Sequence, residues 1–150
     1  MAPAEAGSGE RAPYAYAIIR VVPRVERGEF VNVGVVLYSR PRRFLRARIS
    51  LDRERLRALW PDLDLDAVER QLRVIERVTS GDPEGGAIAA LPAAERFGWL
   101  TAPASTVVQP GPVHAGLAYS PEAAIEALYQ KLVRRGAAPE RASSEAPAKD

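Results

Sequence analysis

The chain has no cysteine, and only one histidine and one methionine among its 150 residues. The first absence excludes a disulfide framework, a thiolate metal site and a cysteine nucleophile. The other two leave little with which to ligate a metal or a haem, so neither metal nor cofactor is expected. Lysine is scarce as well: all of the 21 basic residues except Lys131 and Lys149 are arginine. No apolar run approaches the ~20 residues that span a bilayer. The opening MAPAEAGSGERAP lacks the apolar centre of a secretory signal. The expected location is therefore the cytoplasm, with no membrane partner. The sequence also contains no G-x-x-x-x-G-K-[ST], no G-x-G-x-x-G after a strand and no H-E-x-x-H. No two carboxylates are marked by their spacing as an acid/base couple.

What is present is globular in character. Hydrophobic residues make up 47% and charged residues 27%, and the net charge is only +2. A chain of this size buries a core without covalent staples. Residues 1–12 and 137–150 are small and polar without periodicity, and read as disordered tails around one domain at 13–136. The expected fold is α+β: an antiparallel sheet of three to five strands, opening as a meander, with helices packed on one face. Strands are predicted at 14–22, 29–38 and 44–51 from their β-branched and alternating residues. On the second strand Val31, Val33, Val35 and Leu37 would form one apolar face. Asp52 is a plausible cap for a short helix ended by Pro61, and Asp64 or Asp66 for a second running to about Thr79. Ser120 and Pro121 open a last helix with the stripe Ile125, Leu128, Tyr129 and Leu132, and Gly136 would close it. Between them, 87–118 is hard to assign. A helical piece near Leu91–Phe97 and a strand near Thr106–Val108, extended by 113–117 after a Pro-Gly-Pro bend, are the expected elements.

Three groups of residues stand out chemically. The first is Glu29, Asn32 and Gly34. Asparagine and glycine both weaken a strand interior, and Arg20 comes from the neighbouring strand if the hairpin pairs in register. These residues either floor a polar pocket or mark a β-bulge at Gly34, with Asn32 satisfying local backbone groups. The second is the Gly- and Pro-rich stretch 96–116, which carries Phe97, Trp99, Ser105, Thr106 and the sole histidine, His114. It is either a ligand loop, with His114 suited to proton transfer, or a loop held by its aromatics. The third is arginine-rich: Arg40, Arg42, Arg43, Arg46, Arg48, Arg53, Arg55 and Arg57 stand against Asp52 and Glu54. Phe44, Arg46 and Arg48 share one strand face and form a possible platform for bases and phosphates. The alternative is a solvated face whose arginines pair with carboxylates of a neighbouring helix.

Two stretches carry a resemblance. One is Tyr16-Ala-Ile-Ile-Arg20-Val-Val-Pro23 followed by Arg27-Gly-Glu-Phe-Val-Asn32-Val-Gly34-Val-Val-Leu. The other is Arg96-Phe-Gly-Trp-Leu-Thr-Ala-Pro103 running into Val108-Gln-Pro-Gly-Pro-Val-His114. Together they resemble a bacterial family of uncharacterised small proteins, the domain of unknown function three-zero-three-seven, over about residues 14–133. In that family the position of Ala104 is commonly Arg and that of Ala115 commonly Thr. The resemblance implies a candidate site at Arg20, Glu29, Asn32, Gly34, Arg96, Thr101, Ser105 and His114, without catalytic roles. It also implies a protein partner, a HipA-like kinase encoded alongside. The leading expectation is a non-enzymatic binding or accessory module for a protein partner or a small anionic ligand. The alternatives are nucleic-acid binding through Phe44, Arg46 and Arg48, or an enzyme of unknown class using His114.

Overall fold

The computed structural model describes residues 9–134. Strands β1 (Ala12–Val21), β2 (Val31–Ser39) and β3 (Phe44–Ile49) form the expected antiparallel meander. β1 begins at Ala12, a buried residue inside the stretch expected to be tail. Of the expected tails, residues 1–8 and 137–150 lie outside the described residues, as does the expected cap Gly136. Two short strands, β4 (Val108–Pro110) and β5 (His114–Ala118), complete a five-stranded sheet. Both pair antiparallel with β1, β4 at Ile19–Val21 and β5 at Ala12–Tyr16. The Pro-Gly-Pro bend separates them, because proline has no N–H to give to the ladder.

Among the described residues, five α-helices pack around the sheet. α1 (Arg53–Leu59) is capped by Asp52, which accepts from the Arg55 N–H. α2 (Leu65–Ser80) is capped by Asp64, not Asp66, and closed by left-handed Gly81. α3 (Gly86–Ala89) and α4 (Ala93–Thr101) follow. α5 (Pro121–Tyr129) is capped by Ser120 and runs into a π turn at Gln130–Arg134. α2 and α4 lie on one face over Ala17, Ile19, Val21, Val33 and Val36, contributing Val68, Leu72, Phe97 and Leu100. α5 lies on the other, where Ile125 packs on Val35, Leu37 and Phe44. The α+β class and the antiparallel sheet agree with the sequence reading. The helices, however, occupy both faces, where one was expected.

Both flanks of β2 are apolar, Val36 facing α2 and α4 while Val35 and Leu37 face α5, and a bulge shifts the phase nearer the start of the strand. Ile19 pairs with Gly34 and Arg20 with Asn32, leaving Val33 as an extra residue. An extra residue shifts the two-residue alternation by one. Val31 and Val33 therefore join the α2/α4 side, whereas Val35 and Leu37 point to α5. The single apolar face expected for residues 31, 33, 35 and 37 is split between two cores. Gly34 sits where nothing larger fits: a Cβ there would stand 2.9 Å from the Arg48 carbonyl oxygen and 2.9 Å from Ile49 Cγ1.

Candidate binding site

The bulge also sets where the polar residues of β2 point. Asn32 lies on the α5 face and Gly34 on the opposite one, so the two do not share a face as expected. Asn32 does not satisfy local backbone: its Nδ2 donates to the carbonyl of Leu132, 3.1 Å away in the π turn. This fixes the amide's orientation, because a flip would set Oδ1 against another acceptor. Oδ1 is then buried without a hydrogen-bond partner among the described residues. Arg20, directly across the ladder, repeats the pattern with a buried, unpartnered Nε. Its guanidinium lies 4.1 Å from the centre of the Phe30 ring. It presses so close to Gly111 that a Cβ there would meet the guanidinium carbon at 2.9 Å. The resulting cation–π contact and tight backbone hold Arg20 in place.

Beside Asn32 a cavity of about 80 Å³ opens between β2, the start of α1 and the π turn. Asn32, Ser50, Asp52, Arg55 and Arg134 supply its polar lining, and Val31, Val33 and Val133 the apolar part. The space holds a few waters or one small oxyanion. Asp52 Oδ1 is committed to capping α1. Neither Arg55 nor Arg134 is in an ion pair among the described residues. Behind the cavity, Arg48 pairs with Glu126 and lies 4.2 Å from the centre of the Tyr129 ring.

The Tyr129 phenol is buried, which opposes its ionisation. Donors on Ser50, Arg48 and Arg134, with the charge of Arg48, outweigh that and hold it below the ordinary tyrosine range. Because the folded value lies below the unfolded one, the phenolate adds stability only at alkaline pH, and this is lost as pH falls through the folded value. In a spectrophotometric titration one of the five tyrosines should ionise ahead of the rest, and Tyr129→Phe should remove that early component. Five tyrosines titrating as one class would contradict this arrangement.

The remaining sequence candidates are dispersed. Exposed Glu29 is gripped by Arg27 through two 3.0 Å bonds, and this hydrogen bonding keeps its carboxyl below the usual range. Arg96 is a structural tie, donating to the carbonyls of Leu91 (2.8 Å), Thr79 (2.7 Å) and Val78 (3.1 Å). Thr101 bonds back to Phe97 O within α4 at 2.8 Å, and Ser105 is exposed in the connection to β4. His114, exposed on β5, has its ring 5.2 Å from that of Tyr16. It shares the α5 face with Asn32 but is displaced by four β1 residues, roughly 13 Å along the strand. The stretch 96–116 is therefore not one irregular loop. It comprises the end of α4, a short connection, β4 and β5. Its Trp99 lines an apolar hollow of about 380 Å³ with Val74, Leu100 and Pro103.

The arginine-rich strand face is partly closed. Phe44 is only 5% exposed beneath α5, so its ring is not presented for stacking. Arg48 is engaged by Glu126 and Tyr129, and Arg46 alone of the three is exposed.

Ser50, Tyr129 and Arg134 are not among the candidate residues of the sequence, and Arg55 stands there only as one member of the arginine-rich segment. Ser50 continues the even-numbered face of β3, which was visible in the alternation. Tyr129 and Arg134 read as helix stripe and helix end, and nothing in the sequence brings them to β2.

A family model described as Protein of unknown function (DUF3037) matches residues 16–133. The chain belongs to the DUF3037 family. The match runs from β1 to the π turn, so the DUF3037 domain includes both faces of the sheet and nearly all of the cavity lining. No curated protein and no solved structure matches this DUF3037 chain. Among the described residues, no helix is long and apolar enough to cross a membrane, and no group of three or more His, Asp or Glu is placed to hold a metal ion.

Proposed function

We propose that this protein is a binding module for a small oxyanion, received in the cavity between β2, α1 and the π turn. The observation that supports this reading is the unpartnered Oδ1 of Asn32 beside a cavity lined by Arg55 and Arg134. A buried acceptor without a donor costs on the order of 1–3 kcal/mol, and a ligand that donates to it recovers that cost. Two guanidinium groups favour an anion, since their forked donors match phosphate and carboxylate. The two demands together describe an oxyanion that also carries a hydroxyl or amino donor, as a hydrogen phosphate or a hydroxy-acid does. Ser50 adds a further polar contact. The arrangement favours binding over catalysis because the residue suited to neutral-pH proton transfer, His114, lies elsewhere on the sheet.

Inorganic phosphate is the first probe. Calorimetric titration of the full chain should show one site, and both Arg55→Gln and Arg134→Gln should weaken it at least tenfold, about 1.4 kcal/mol. Asn32→Asp would set a like charge against the anion and should abolish binding. No phosphate or carboxylate binding by the wild type, or binding unchanged in both arginine variants, overturns the proposal.

A further inference from the structure

We infer that the tip of the β2–β3 hairpin is a contact for the phosphate backbone of a nucleic-acid duplex. It lies at the far end of β2 and β3 from the cavity and rests on independent observations. Between Glu29 and Asp52 the sequence has no acidic residue. Arg40 and Arg43 stand exposed in the turn, and Arg46 is exposed further along β3. None of the three is in an ion pair among the described residues. Arg42, which donates to the carbonyl of Glu10, is tied to the start of the chain and is not counted with them.

The backbone of the turn adds a second clue. The Arg43 N–H closes it by bonding to Arg40 O at 3.1 Å, and Arg43 has φ 52. It is the only non-glycine residue with positive φ among those described. The left-handed region favours glycine, and a long side chain there costs stability. The strained position thus carries a guanidinium at the very tip. Arg46 in turn leans over the Phe44 ring, 4.6 Å from its centre, which restrains where its charge sits.

The chemistry of the partner follows from the geometry. Exposed cations at a hairpin tip suit a polyanion, which engages several at once and releases its counterions. Single strands are usually held by stacked aromatics, and the aromatic nearest this tip, Phe44, is buried. A regular duplex backbone needs only the guanidinium forks.

The test is fluorescence anisotropy of the full chain with a short mixed-sequence duplex, made as DNA and as RNA, across a salt series. Three phosphate contacts predict affinity falling with salt at a logarithmic slope of about −3. Arg43→Gly should leave thermal stability unchanged or raised, weaken duplex binding several-fold and reduce the slope by about one. The combined variant Arg40→Ser, Arg43→Gly, Arg46→Ser should fold normally by circular dichroism and lose binding altogether. Absent or salt-independent binding of both duplexes, or binding retained by the combined variant, overturns the inference. Tighter binding to a single strand, or equally tight binding to an acidic polypeptide, also overturns it and reassigns the tip to that partner. Inorganic phosphate binding at the cavity should be unchanged by all three substitutions, so the two sites fail separately.

Discussion

Arg96→Leu will destabilise the fold by about 3 kcal/mol, because the change removes the donor on which two carbonyls depend. Arg96 joins the C-terminus of α2 to the α3–α4 connection, bonding to Thr79 O and Leu91 O. Its third acceptor, Val78 O, also receives the Gly81 N–H and loses less. A hydrogen bond from a charged group contributes about 1.5–3 kcal/mol, and its removal strands the acceptor. The cation also faces the negative end of α2, where positive charge is favoured. Arg96→Lys should restore only part of the loss, since one ammonium cannot reproduce the fork. The readout is a urea unfolding midpoint at constant slope. A loss under about 1 kcal/mol would mean that water replaces the guanidinium, and would make Arg96 a candidate ligand contact once more.

Gly34→Ala will be destabilising by about 2 kcal/mol, against the ordinary sign for such a change. Alanine in a strand interior is normally better than glycine by roughly 0.5–1 kcal/mol. Here the new methyl would fall 2.9 Å from a backbone oxygen of the adjacent strand, which cannot move without disturbing the β2–β3 ladder. Overpacking of this kind costs about 1–3 kcal/mol. Gly34→Val should cost more, because its two γ-methyls add bulk where the Cβ already meets both Arg48 O and Ile49 Cγ1. Urea unfolding of both variants decides the matter, and a stabilised alanine variant would show that the strands part easily at the bulge.

These two residues illustrate how far the sequence is legible. Gly34 was readable as a bulge or a close approach, because glycine inside a β-branched run weakens the strand unless a kink or a near neighbour requires it. The identity of the extra residue, Val33, was not readable, because valine suits either phase of a strand. Choosing the phase requires knowing that a second core exists on the far side. Caps were clear at Asp52 and Ser120, where a side-chain oxygen precedes a periodic stripe; at Asp64 and Asp66 two such oxygens competed. Arg96 stood among the candidate contacts only through the family resemblance. It is held inside the fold by carbonyls from α2, and long-range bonds to backbone leave no trace in composition. The cavity was legible only at Asn32, with Arg20 beside it, where polar residues interrupt the strands. Its arginines come from α1 and the π turn, and only tertiary folding unites them.

The one-residue offset at Val33 has a consequence for the architecture as a whole. β2 lends alternate flanks to two separate hydrophobic layers, Val31, Val33 and Val36 to one and Val35 and Leu37 to the other. Neither layer owns a complete interior of its own. The C-terminal helix is therefore no detachable appendage: stripping it away would leave the middle strand half naked and the Asn32 amide without its distant carbonyl. Both halves of the molecule stand or fall together, with a shared wall between them.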